Sequence, residues 1–108
     1  MSTALGERVR EARLAKGLTL EALAEKVESS KSYMWQIENK DVARPSAEKL
    51  QQIAKALDTT VEYLLAVEAV TQEDAADTAF FRKYQRMNPR SKERLREMLK
   101  ILDDDEDD

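Results

Sequence analysis

The 108 residues carry 18 Lys+Arg against 22 Asp+Glu, with 42% hydrophobic residues, two glycines, two prolines and neither cysteine nor histidine. So few turn-forming residues beside abundant Ala, Leu, Glu, Lys and Arg exclude a turn-rich β protein and favour helix throughout. Without Cys or His, disulfides, thiol nucleophiles and the commonest zinc ligands are excluded together.

The length suits one small domain plus an appendage. No apolar run has membrane-spanning or signal-peptide character, so a soluble cytoplasmic chain is expected, with no membrane contact. The net charge of −4 is unevenly spread: residues 1–65 are neutral, residues 103–108 are all acidic, and the chain without those six is +2. Acidity gathered in a terminal tail need not touch a binding face.

In chain order, Ser2 or Thr3 caps a first helix that ends at Gly17 and carries Leu5, Val9 and Ala12 on one face. Thr19 caps a second, with Leu20, Leu23, Ala24 and Val27 at i, i+3, i+4 and i+7. A few residues later Ser30 caps a third, which turns Met34 and Ile37 inward. Residues 40–45 read as a loop. Ser46 caps a fourth helix with Leu50, Ile53, Ala54 and Leu57 inward, and Thr60 opens a short fifth with Val61, Leu64 and Leu65. Residues 1–66 are therefore expected to form a five-helix bundle.

A different region begins near residue 67, with a polar, alanine-rich stretch over residues 70–76 that reads as partly a linker. Phe80, Phe81, Tyr84 and Met87 then mark an aromatic helical face. Asn88-Pro89 is a strong break, with Asn88 as N-cap and Pro89 in the first helical position. The last helix carries Leu95, Met98, Leu99 and Leu102 on one face, with Ile101 beside it. Segments 75–87 and 90–102 form an αα-hairpin on this reading, within an all-α chain divided into residues 1–66, 67–102 and a disordered acidic tail, 103–108.

The stretch GLTLEALAEKVESSKSYMWQIENKDVARPSAEKL, residues 17–50, holds two short amphipathic helices joined by about three residues, with the small Ala24 at mid-helix where helices approach closely. With the order and spacing of all five helices over residues 5–65, it resembles the helix-turn-helix domain of phage repressor and Cro proteins, the XRE-type regulators. The resemblance implies a five-helix repressor-like fold and a dimeric regulator, a repressor or autorepressor of transcription, that reads double-stranded DNA in the major groove with its third helix.

By the same resemblance Lys31, Ser32 and Gln36 would reach base edges. Gln36 can pair bidentately with adenine and Lys31 can donate to guanine. Ser30, Tyr33, Asn39, Lys40 and Arg44 would contact phosphates. Arg13 and Glu38 match a partly buried salt bridge of relatives, with Arg13 also placed at a phosphate. Trp35 has two readings, contact with DNA or packing over the 40–44 loop. Three departures stand out: Glu28 occupies a turn position usually held by glycine, Ser29 one where a small apolar residue is usual, and Leu20 stands where many relatives place a phosphate-binding Gln.

Two helices cannot bury Phe80, Phe81, Tyr84, Leu95, Met98, Leu99 and Leu102 between themselves. A homodimer interface, or a site for a protein partner, is expected there. The run FFRKYQRMNPRSKERLREMLKIL is similar to tails of XRE-type regulators encoded beside a toxin or a metallopeptidase, which makes an antitoxin-like or switch role the alternative function. No Gly-rich phosphate loop or nucleophile elbow supports an enzyme, and no cofactor is indicated.

Overall fold

The computed structural model describes residues 3–41, 44–67 and 71–106. Among them lie seven helices and no strand: α1 (Ala4–Ala15), α2 (Leu20–Lys26), α3 (Lys31–Asn39), α4 (Ala47–Ala56), α5 (Val61–Leu64), α6 (Gln72–Arg86) and α7 (Pro89–Glu106). The expected loop at 40–45, the linker at 70–76 and the tail at 103–108 each include positions outside the described residues, as does Ser2.

Each helix starts where a short polar side chain replaces a missing backbone acceptor. Thr3, Thr19, Ser30, Ser46, Thr60, Thr71 and Asn88 each accept a hydrogen bond from the N–H three residues on, at 2.8–3.1 Å. Such a cap contributes typically ~1 kcal/mol. The first, second, fourth and fifth helices also end alike. After α2, Ser29 N–H donates to the Ala24 carbonyl (2.9 Å) and Glu28 N–H to that of Glu25 (3.2 Å). The same pair of bonds closes α1 at Gly17 and Leu18, α4 at Asp58 and Thr59, and α5 at Ala66 and Val67. This closure requires left-handed backbone at the residue after the cap. Gly17 (φ 69°) adopts it freely, whereas Glu28 (53°), Asp58 (52°) and Ala66 (56°) adopt it with a Cβ.

Between these ends the apolar stripes meet. Val9, Leu23, Val27, Met34, Ile37, Ile53, Leu57 and Leu64 are buried in one core with Ala12, Ala24, Ala54 and Tyr63. Arg8 closes the seam between α1 and α5, donating to the Tyr63 carbonyl (2.6 Å) with its guanidinium 4.8 Å from that ring's centre.

Two sequence expectations are corrected here. The segment read as partly a linker supplies the first turn of α6: Thr71 caps it, and Ala75 is buried within the core of the helix-turn-helix unit. The acidic tail read as disordered begins as helix, because α7 continues through Glu106 with no glycine or proline to stop it.

Beyond Ala75 the hairpin leaves the bundle. The ion pair of Arg82 with Glu62 (3.3 Å) ties α6 to α5. The Glu62 carboxyl is held below the ordinary range, first by a backbone hydrogen bond and then by Arg82. The arms of the hairpin meet at Tyr84, where Lys92 and Arg96 of α7 stand 5.4 and 5.8 Å from the ring centre. A radius of gyration of 16.2 Å, against about 13 Å for a compact chain of this length, records the projection.

Glu28→Gly is expected to raise stability by about 1 kcal/mol, since a left-handed residue with a Cβ costs roughly 1–2 kcal/mol. Thermal or urea unfolding checks this, and an unchanged or lower midpoint would contradict the strain.

Candidate nucleic-acid interface

The corner between α2 and α3 is set from three sides. The closure at Glu28 and Ser29 reverses the chain, the Ser30 hydroxyl caps α3, and Lys49 of α4 donates its ammonium to the Val27 carbonyl at 2.6 Å. Lys49 thus satisfies the C-terminal end of α2, where a cation is favourable. Sequence reading missed this role, since an amphipathic helix offers many surface lysines.

The third helix is seated on α1 by two features. A Cβ on Gly6 would lie 2.5 Å from the Ile37 carbonyl oxygen and 2.8 Å from that of Glu38, so only glycine permits this approach. Arg13 then grips Glu38 with two parallel bonds, Nε to Oε2 (2.7 Å) and Nη2 to Oε1 (3.0 Å), while its Nη1 donates to the Leu18 carbonyl (2.8 Å). Both residues are buried. The salt bridge expected from sequence is present. A phosphate contact by Arg13 is not carried into the site, because its guanidinium is turned inward and committed to these partners. Gly6 was overlooked; a lone glycine inside a helical pattern is the signal that marks it.

With Met34, Ile37 and Glu38 buried, α3 presents Lys31, Ser32, Trp35 and Gln36 to solvent. Positions 31, 32, 35 and 36 make one continuous stripe on a helix. Lys31 forms an exposed ion pair with Glu21 (3.0 Å), of a kind worth under about 1 kcal/mol and easily exchanged. Trp35 is 44% exposed. The Lys40 ammonium lies 5.7 Å from its ring centre, and Asn39 Nδ2 donates to its carbonyl at 2.9 Å.

The other expected backbone-contacting residues are placed less uniformly. Ser30 is exposed, and after accepting the Tyr33 N–H its hydroxyl retains a donor. Lys40 and Arg44 are exposed, Asn39 is half-buried, and Tyr33 leans on the core. At the far end of the chain Phe80, Phe81, Met98, Leu99 and Leu102 are all exposed, while Tyr84 and Leu95 are half-buried.

A helix-turn-helix family model matches residues 9–64, more than half of the chain, and the chain belongs to this family, of the XRE type. It is 36% identical over 70 residues to the HTH-type transcriptional regulator SinR of Bacillus subtilis, an alignment covering 65% of this chain and 63% of that one. The chain therefore matches under two thirds of the length of the curated relative. A crystal structure of SinR, a master regulator for biofilm formation, in complex with DNA shares 38% identity over 56% of this chain and 97% of that one, with a TM-score of 0.54. A SinR–SinI complex matches at 28% identity over 96% of this chain and 99% of that one, with a TM-score of 0.54.

Breaking the buried pair should be costly. Glu38→Ala leaves the Arg13 guanidinium without its carboxylate and is expected to lower unfolding free energy by about 3–5 kcal/mol. Urea titration followed by circular dichroism reads the change, and a loss below about 1 kcal/mol would be inconsistent with a desolvated pair.

Proposed function

We propose that this chain is a sequence-specific, DNA-binding transcriptional regulator that works as a homodimer and acts as a repressor. The observation that carries the reading is the stripe of Lys31, Ser32, Trp35 and Gln36, exposed on a helix whose opposite side is fixed by Gly6, Ile37 and the Arg13–Glu38 pair. An α-helix fits the major groove, and a rigid helix with polar side chains on its free face can read base edges there. Gln36 offers a donor and an acceptor to adenine, Lys31 donates to guanine, and Ser32 does either. Ser30, Lys40 and Arg44 flank the stripe as phosphate contacts, with Tyr33 and Asn39 at its margin. The solved SinR–DNA complex supports the reading through its likeness to this domain.

Trp35 belongs to this surface as well. It is 44% exposed, and its ring can meet sugar or a thymine methyl beside the bases read by Gln36.

A second reading concerns the hairpin. Phe80, Phe81, Met98, Leu99 and Leu102 lie 48–61% exposed on α6 and α7, and exposed large apolar groups in a contiguous patch mark protein interaction sites. Pairing with a second copy would bring two reading helices onto successive half-sites about one helical turn apart. A protein partner competing for the same arms, such as a toxin or a metallopeptidase, would control the dimer. The likeness to the SinR–SinI complex over nearly the whole chain supports such a partner-binding role.

Fluorescence anisotropy with DNA from the gene's own upstream region, beside a scrambled duplex at fixed salt, tests the function; a preference of ~10³-fold or more is expected. Gln36→Ala should relax preference at one base position per half-site by about 1–3 kcal/mol, and a uniform loss over all sequences would refute base reading. Phe81→Glu with Leu99→Glu should convert the dimer to monomer in sedimentation. A variant that stays dimeric would remove the arms from the interface.

A further inference from the structure

An open cleft of about 1070 Å³ separates α4 and α5 from α6. Five cations line it: Arg44 from the loop before α4, Lys55 from α4, and Arg82, Lys83 and Arg86 from α6. Three carboxylates also line it, but two are occupied, Glu62 by Arg82 and Asp58 by Lys16. Among the described residues, Arg44, Lys55, Lys83 and Arg86 have no carboxylate partner, against Glu48 alone on the acidic side. A neutral domain and an acidic chain thus hold a local excess of three positive charges along one groove.

The position of the groove selects its occupant. Its lining includes Arg44, itself one of the proposed phosphate contacts, so the groove and the surface proposed to bind DNA share a residue. It is open to solvent along its length, unlike the enclosed pockets that hold small ligands. Long, exposed cations along an open groove suit a polyanion whose charges recur along a line. We propose that Lys83 and Arg86 of α6, together with Lys55 of α4, form a second phosphate-contact site that extends the DNA footprint along this cleft. The proposal rests on α3 being the DNA-reading helix and adds α6, outside the helix-turn-helix unit, to the nucleic-acid surface.

Phosphate contacts release condensed counterions whatever the sequence, so the test needs no operator. Binding of a labelled mixed-sequence duplex is measured by anisotropy over a series of salt concentrations for three full-length proteins. These are the wild type, Lys83→Gln/Arg86→Gln, and Arg94→Gln/Lys100→Gln, which removes the same charge from α7 outside the cleft. The cleft variant is expected to reduce the slope of log affinity against log salt by about two, roughly one per contact, while the α7 variant keeps the wild-type slope. Lys83→Arg/Arg86→Lys should restore it.

An unchanged slope in the cleft variant, or an equal loss in both variants, overturns the site while leaving the α3 reading intact. Absence of salt-dependent binding by the wild type overturns both. Sedimentation of the same samples separates a last outcome: a cleft variant that loses slope because it has become monomeric assigns these residues to self-association and overturns the phosphate site.

Discussion

The seam between α1 and α3 is the constraint on which the rest depends. The proposed base-reading role of α3 needs a free face that is aimed, and here the aim comes from behind. Gly6 lets α1 approach the α3 backbone at Ile37 and Glu38. The Arg13 fork then fixes Glu38 by two bonds whose planar geometry tolerates little rotation. A buried pair of this kind is weak evidence of net stability, because desolvation offsets much of the attraction. Its value here lies in orientation: rotating α3 about its axis would break both bonds and strand a carboxylate in the core.

Chain reversal is the second theme. A chain with two glycines among 108 residues nevertheless ends four of its first five helices with the same left-handed closure. Three of these closures use Glu28, Asp58 and Ala66, where glycine would fit without strain. Each closure satisfies two carbonyls at the helix end, and burial of the flanking Val27, Leu57 and Leu64 anchors it. Asp58 also pairs with Lys16, joining the end of α4 to the end of α1. One site is left imperfect: the Thr59 hydroxyl beside this turn is buried without a partner among the described residues.

Much of the domain was legible in the sequence because its signals are local. A threonine, serine or asparagine ahead of an apolar 3.6-residue pattern identifies six helix starts, whereas the glycine preference at Glu28 is known only through the resemblance to XRE-type regulators. The buried pair of Arg13 and Glu38, 25 residues apart, was reachable only by likeness to relatives, since no spacing rule connects them. Lys49, Arg8 and Ala75 were not legible, because each acts across the fold on a backbone carbonyl or a core gap. Ala75 misled for a physical reason: alanine in a polar run carries no hydrophobic periodicity, yet it is small enough to enter the core where a larger side chain would not fit. The acidic end misled in the opposite sense, since its composition suggests solvation while nothing in it terminates a helix.

The anchoring of Ala75 has a mechanical consequence. Because α6 is anchored in the core at Ala75 and reaches the hairpin turn as one uninterrupted helix, the arms are joined to the helix-turn-helix domain by a strut about 17 Å long instead of a tether. In a dimer joined through the arms, the distance and phase between the two reading helices would be fixed by the residue count of that strut. Lengthening it by a single residue would swing the arms through about 100°, so operator spacing would be encoded in helix length.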